Sequence, residues 1–185
     1  SPRFTSNGVS QMPNEIWVFD KMAYNKAKKT FPSTQVHLKS SHYKNIILND
    51  VSTTPQIQDS YLYICEPMRK EPINGLTIEE HQLNNFLKTL TLLRTKAPTQ
   101  VLVRLHPSEN KNKYNYVISK YNTLDIQYDC QSLSKSLSQS ETVVGCSSYA
   151  LYLAHCANRK ILTSKIGEID DDTFSLSNIL TSDKT

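Results

Sequence analysis

Glycine is scarce in this chain, with four in 185 residues. None falls in a GxGxxG or P-loop pattern, so the two common glycine-rich phosphate cradles are disfavoured. Cysteine is equally sparse. Cys65, Cys130, Cys146 and Cys156 are widely spaced with no CxxC, which argues against zinc ligation and against a disulfide framework. Cys65 and Cys146 sit within or just after apolar runs, so buried, reduced thiols are the expectation instead, which fits a cytosolic protein. No apolar run approaches the ~20 residues of a membrane span, and no signal peptide is visible. An excess of one charge is also missing: 21 basic against 17 acidic residues leave a net charge of +4. The basic residues gather loosely as Lys26, Lys28 and Lys29, then Arg69 and Lys70, then Lys111 and Lys113. That is no nucleic-acid stripe, and the usual RNA-binding signatures are absent, so no nucleic-acid partner is expected. A basic face remains compatible with anionic ligands or an anionic membrane surface. No acidic arrangement demands a metal, and no internal repeat or low-complexity tract occurs.

What is present suits a globular protein, with 38% hydrophobic and 21% charged residues. The length allows one full core, or one domain with part of another. Residues 1–14 are polar and aperiodic and read as a tail or linker. Ile16 to Phe19 is a short strand, Lys21 to Thr30 an amphipathic helix ended by Pro32, and Gln35 to Leu38 a second strand. Ser41 to Val51 suggests a helix, and Ser52 to Asp59, with Thr53-Thr54-Pro55, a connection. From Tyr61 a regular alternation sets in. Tyr61 to Cys65 is a strand closed by Glu66-Pro67. Thr77-Ile78-Glu79-Glu80 is a capping-box start, followed by Leu83, Phe86, Leu87, Leu90 and Leu93 on one face of a long helix. Strands follow at Val101 to Leu105, Leu124 to Tyr128, Thr142 to Val144 and Lys160 to Thr163, with helices at Ser132 to Ser138 and Ser147 to Cys156. The tail carries Asp170-Asp171-Asp172 and a short helix around Ser175 to Leu180. Strands alternating with helices through short connections predict a Rossmann-like α/β domain over residues 59–185, its parallel sheet covered by helices on both faces. Residues 15–58 are then the end of a preceding domain or a crossover segment.

Two stretches carry chemistry. In Val101-Leu102-Val103-Arg104-Leu105-His106-Pro107-Ser108-Glu109 the strand stops at His106-Pro107, because proline has no N–H to donate and biases its predecessor away from the helical region. Ser108 is placed to cap a helix whose apolar positions are Tyr114, Val117, Ile118 and Tyr121. An ordinary turn histidine would give the same residues. In Glu141-Thr142-Val143-Val144-Gly145-Cys146-Ser147-Ser148-Tyr149-Ala150-Leu151 a strand passes into a helix, with Gly145 permitting a tight turn and Ser147 or Ser148 as N-cap. Capping alone would account for both serines. Taken together, the two stretches lie at carboxyl ends of strands in one parallel sheet, where open α/β folds bind ligands and helix N-termini favour anions. They predict a phosphate site made of one imidazole and two hydroxyls.

His106-Pro107 and, about forty residues later, Ser147-Ser148 opening a helix resemble the His-Pro and Ser-Ser motifs of bacterial GT-B-type sialyltransferases and related CMP-sugar glycosyltransferases. They are similar, more loosely, to the CDP-glycerol transferases of teichoic acid synthesis. The resemblance covers roughly Tyr61 to Leu180, the nucleotide-binding half of such a fold. It implies a metal-independent transferase with no cofactor, acting on a CMP-linked nonulosonic acid of the sialic acid or Kdo type and on a bacterial surface-glycan acceptor. The implied setting is the cytoplasm, with peripheral association at the inner face of the bacterial membrane also compatible. His106 would contact the donor phosphate and assist departure of CMP, and Ser147 and Ser148 would hold the same phosphate, with Pro107 and Ser108 beside it. Tyr128 to Leu133 is the loop where such folds meet the base, and Glu66 and Arg69 are candidate acceptor or phosphate contacts, with Lys70 alongside. The acidic base of these enzymes sits in a glycine-flanked acidic pair of an amino-terminal acceptor domain. Here Glu79-Glu80 and Asp170 to Asp172 are not followed by glycine, so the resemblance implies a donor-binding fragment, able to bind nucleotide without turning over alone. A CDP-glycerol or CDP-ribitol polyol-phosphate transferase and a non-catalytic Rossmann-like scaffold are the alternatives. His37, His42, His81 and His155 show no partner pattern, and Tyr149 suits either the site or helix packing.

Overall fold

The computed structural model describes residues 13–51, 57–68, 72, 75–93, 99–146, 148–164 and 174–175. It divides after Asn45 into two compact units. In the first, β1 (Glu15–Val18) and β2 (Gln35–Leu38) pair in parallel across helix α1 (Lys21–Thr30). Asp20 caps α1, its Oδ1 accepting the Ala23 N–H at 2.7 Å. Ala27 and Val36 are buried, whereas Trp17, Phe19 and Leu38 are at least half exposed.

The second unit is the Rossmann-like domain. It contains the second half of α2 (His42–Val51), β3 (Ile57–Ile64), α3 (Ile78–Leu93), β4 (Gln100–Arg104), α4 (Asn115–Ile118), β5 (Asp125–Tyr128), α5 (Leu133–Gln139), β6 (Ser140–Gly145), α6 (Tyr149–Cys156), β7 (Lys160–Ser164) and β8 (Phe174–Ser175). The sheet order is β5-β4-β3-β6-β7-β8, with β8 alone antiparallel. The chain runs outward from β3 through β4 to β5 and then returns to the other side of β3. The strand order therefore reverses between β3 and β6, the position at which open α/β sheets form a ligand crevice.

The alternating residues of the strands divide between two cores, as a sheet covered on both faces requires. Tyr63, Cys65, Val101, Val103 and Val144 meet Leu83, Phe86, Leu87 and Leu90 of α3 and Val117 of α4. Leu62, Ile64, Leu102 and Val143 meet Leu137 of α5, Leu151, Leu153 and Ala154 of α6, and Ile47 and Val51 of α2. Each fully buried leucine or valine contributes about 1.5–3 kcal/mol, so these interleaved apolar positions fix the register of the strands that carry the site. The capping box of α3 forms as its sequence suggests. Glu80 Oε2 accepts the Thr77 N–H at 2.7 Å, and the Glu80 N–H reaches back to Thr77 Oγ1 at 3.4 Å.

Three expectations change. β3 starts at Ile57 rather than Tyr61. Ser175 lies in β8 rather than opening a helix. The helix expected from Ser108 begins only at Asn115 and has four residues. The intervening residues form turns instead: the Lys113 N–H bonds the Asn110 carbonyl at 3.1 Å and the Asn112 N–H bonds Asn110 Oδ1 at 2.9 Å. Short asparagine side chains compete with the helical ladder for these donors. The expected tail at residues 1–12, the connection at 52–56, and Arg69, Lys70, Ser147, Asp170–Asp172 and 176–180 lie outside the described residues. Among the described residues no helix is long and apolar enough to cross a membrane.

Candidate functional site

The crevice between β3 and β6 is closed by a carboxylate. β3 ends at Ile64, Cys65 continues its pairing to the Arg104 carbonyl at 2.9 Å, and the chain turns at Glu66-Pro67. Glu66 Oε1 accepts the Cys146 N–H at 2.9 Å and the Ser148 N–H at 3.0 Å. Two converging amides ahead of a helix form an anion-binding concavity, and here the protein supplies the anion. Gly145 lies against this contact: a Cβ there would stand 3.4 Å from Glu66 Oε1 and 3.4 Å from the Ile64 carbonyl oxygen, close but within ordinary van der Waals contact. Ser148 is the N-cap residue of α6, but its side chain makes no capping bond. Its hydroxyl oxygen is buried with no hydrogen-bond partner among the described residues, although buried hydroxyls are ordinarily paired.

One strand away, His106 sits in a tight turn. The Glu109 N–H bonds the His106 carbonyl at 2.9 Å, with Pro107 at the second position, where its fixed φ suits a β-turn. Glu109 Oε2 accepts the His106 N–H at 3.0 Å. Ser108 Oγ lies 2.7 Å from His106 Nδ1, and the Ser108 N–H points at the same nitrogen at 3.2 Å. Ser108 therefore serves the imidazole rather than a helix end.

Beneath this turn lies a buried charge network. Lys113 Nζ bonds Glu79 Oε1 at 2.7 Å and Glu109 Oε1 at 2.8 Å, and the Tyr114 hydroxyl donates to Glu109 Oε1 at 2.7 Å. Glu79 Oε1 also accepts the Met68 N–H at 3.2 Å. A single ammonium thus ties the turn after β4 to the start of α3, and Glu79 in turn holds the loop after β3 through Met68. Burial alone would push the Glu79 carboxyl up, yet bonds from Lys113 and from backbone amides hold it below its ordinary value. Burial opposes the Lys113 charge as well, and the two carboxylates outweigh it and raise that group. The adjoining thiol of Cys65 is pushed up to about 12, first by burial and then by the Glu109 charge, which makes it an inert core thiol. None of the four cysteines forms a disulfide among the described residues.

At the end of β5, Arg104 Nη1 bonds Asp129 Oδ2 at 2.6 Å and the Gln131 carbonyl at 3.0 Å. Ser136 Oγ donates to the same Asp129 oxygen at 2.7 Å. The Asp129 side chain is fully buried, so this cluster fixes the entry to α5, whose first residue is Leu133. The Tyr128 hydroxyl donates to Asn115 Oδ1 at 2.8 Å.

Glu66, His106 and Ser148 therefore follow three neighbouring strands at one sheet edge, with Glu66 in the middle. The ends of β4 and β6 are two strand spacings, roughly 10 Å, apart. Tyr128 and Leu133 follow β5, one strand further out. Ser147 and Arg69 lie outside the described residues. Residue-by-residue reading did not foresee the side-chain network of Glu79, Arg104, Glu109, Lys113, Tyr114 and Asp129. Glu109 meets Lys113 and Tyr114 four and five residues away, but Arg104 meets Asp129 across 25 residues and Lys113 meets Glu79 across 34. Among the described residues no group of three or more His, Cys, Asp or Glu side chains could hold a metal ion.

Fold and edge together define a Rossmann-like α/β domain, an architecture broadly compatible with nucleotide-binding enzymes. No protein-family model matches the chain, and no curated protein matches it.

Proposed function

We propose that this chain is the donor-binding half of a CMP-sugar glycosyltransferase, one that takes a nonulosonic acid from its CMP-linked form. The observation that carries the reading is the switch in strand order between β3 and β6. There two amides already hold a carboxylate, and the Ser148 hydroxyl is buried with no hydrogen-bond partner among the described residues. The exposed His106 ring stands at the same edge. When the anomeric carbon separates from a nucleoside monophosphate, negative charge grows on the phosphate oxygens. Fixed donors aimed at that charge lower the barrier without metal. The Ser148 hydroxyl and the His106 imidazole are such donors, while the two amides of Cys146 and Ser148 are occupied by Glu66. The loop after β5, from Tyr128 to Leu133, is assigned to the base, and its rigid clamp of Arg104 on Asp129 favours that role. The acceptor and its catalytic base belong to residues beyond this constellation, with residues 15–58 leading toward them. The reaction is assigned to the cytoplasm as part of this reading.

Calorimetric titration of the whole chain with CMP, UMP, GMP and AMP tests the reading. CMP is expected to bind best, and His106→Ala is expected to weaken it by about tenfold or more, the worth of a hydrogen bond to a charged group. Equal binding of all four nucleotides, or unchanged CMP binding in His106→Ala, would overturn it. Tighter binding of CDP-glycerol than of CMP would move the assignment to a polyol-phosphate transferase. No binding of any nucleotide would leave a scaffold domain.

A further inference from the structure

We infer that Ser108 is a positioning residue that fixes the neutral His106 ring with its proton on Nε2, so that the ring meets a ligand as a hydrogen-bond donor to an oxygen. Two donors of Ser108 converge on one ring position, the hydroxyl at 2.7 Å and the backbone N–H at 3.2 Å. The hydroxyl can rotate to give or take a proton, but the amide can only donate. A hydrogen on Nδ1 would face that amide hydrogen directly, and a flipped ring would set a carbon there and waste both donors. Nδ1 therefore carries the lone pair, and in the neutral ring the proton sits on Nε2.

The backbone leaves the ring little choice of position. Pro107 fixes the turn, and Glu109 grips His106 at both ends, its N–H on the carbonyl and its Oε2 on the N–H. Glu109 is itself anchored by Lys113 and by the fully buried Tyr114. Nε2 makes no hydrogen bond among the described residues, and the side chain is exposed. In this form Nε2 offers a hydrogen, not a lone pair, so it suits a phosphate or carboxylate oxygen and not a metal ion or a proton to be abstracted. Only the identity of that oxygen rests on the nucleotide reading; the tautomer and the role of Ser108 do not.

Long-range proton–nitrogen NMR spectra of the whole chain, with His106 assigned through His106→Gln and recorded where the neutral ring is populated, test the inference. The spectrum is expected to show Nε2 protonated and Nδ1 as a hydrogen-bonded acceptor. Ser108→Ala should move the Nδ1 resonance toward that of a bare lone pair, and Ser108→Thr should restore it. The Ser108 amide should exchange slowly for an exposed turn and speed up about five- to tenfold in His106→Ala. A proton on Nδ1, or an Nδ1 resonance indifferent to Ser108→Ala, would overturn the inference. Should the spectra behave as expected while no nucleotide binds, the role of Ser108 stands and the nucleotide reading alone falls.

Discussion

The turn after β4 and the turn after β6 occupy the same sheet edge and are built on opposite rules. Around His106 the backbone N–H, the carbonyl and Nδ1 are all engaged, and the latch that engages them is anchored in a buried ion network. Around Ser148 the amide is engaged but the buried hydroxyl has no partner among the described residues. The first turn is an arm held rigid before any ligand arrives. The second is a seat left with an unmade bond, and its own Glu66 marks where negative charge is welcome. Preorganisation on one side and an open valence on the other are what a site that stabilises developing charge requires.

The largest effect should come from the arm. Lys113→Met leaves the Glu79 and Glu109 carboxylates buried without their ammonium, and a loss of about 3–5 kcal/mol in stability is expected from urea unfolding. The network also sets a pH window. Glu79 is held below its ordinary value of 4.5, so its contribution is full above that pH and is lost as pH falls through the folded value. Lys113 is raised above 10.5, so its contribution is full below that pH and is lost as pH rises through the folded value. The network's own contribution to stability should therefore be flat between these limits. Its acid slope should flatten in Lys113→Met, because burial then pushes the Glu79 carboxyl back up. An unchanged acid slope would show that the network does not couple the two loops as described.

A smaller effect is expected at the seat. Glu66→Ala removes one acceptor shared by two amides, costing about 1–3 kcal/mol. It also vacates the spot a phosphate would take, so inorganic phosphate and CMP should bind more tightly than to the parent chain, by several-fold on the same hydrogen-bond scale. Weaker anion binding in Glu66→Ala would mean that the carboxylate props the crevice open rather than filling it. The smallest change in stability belongs to Ser148→Ala. A hydroxyl without a partner contributes nothing to the free fold, so the unfolding midpoint should stay within about 0.5 kcal/mol of the parent or rise. CMP affinity should nonetheless fall about three- to tenfold. A parallel loss of stability and affinity would make Ser148 structural and erase the contrast between the two turns.

Much of the framework was readable along the chain. Thr77 and Glu80 announced the start of α3, and leucines at helical spacing marked the face it buries. His106-Pro107 and Gly145-Cys146 marked where strands stop. The exception near Ser108 is instructive. Tyr114, Val117, Ile118 and Tyr121 have helical spacing, but Asn110 captures the Asn112 amide and Pro107 commits the chain to a turn. The tyrosine at 114 then enters the core to bond Glu109 rather than to line a long helix. These partners are all local, so the departure lies in competition between turn and helix within residues 107–114. The carboxylate that meets the Cys146 and Ser148 amides, by contrast, comes from another strand end 80 residues away and could not be read from neighbours in sequence.

Alternation of apolar residues and helix punctuation were sufficient for the layered α/β architecture and for placing His106 and Ser148 at carboxyl ends of strands, because both follow from local spacing and burial. Which strands stand side by side was settled only in three dimensions. So were the carboxylate that entered the crevice, the ammonium that locked two loops together and the hydroxyl that went unpaired. Those outcomes arise from hydrogen bonds between residues remote in sequence, whose energy depends on distances that no one-dimensional pattern encodes.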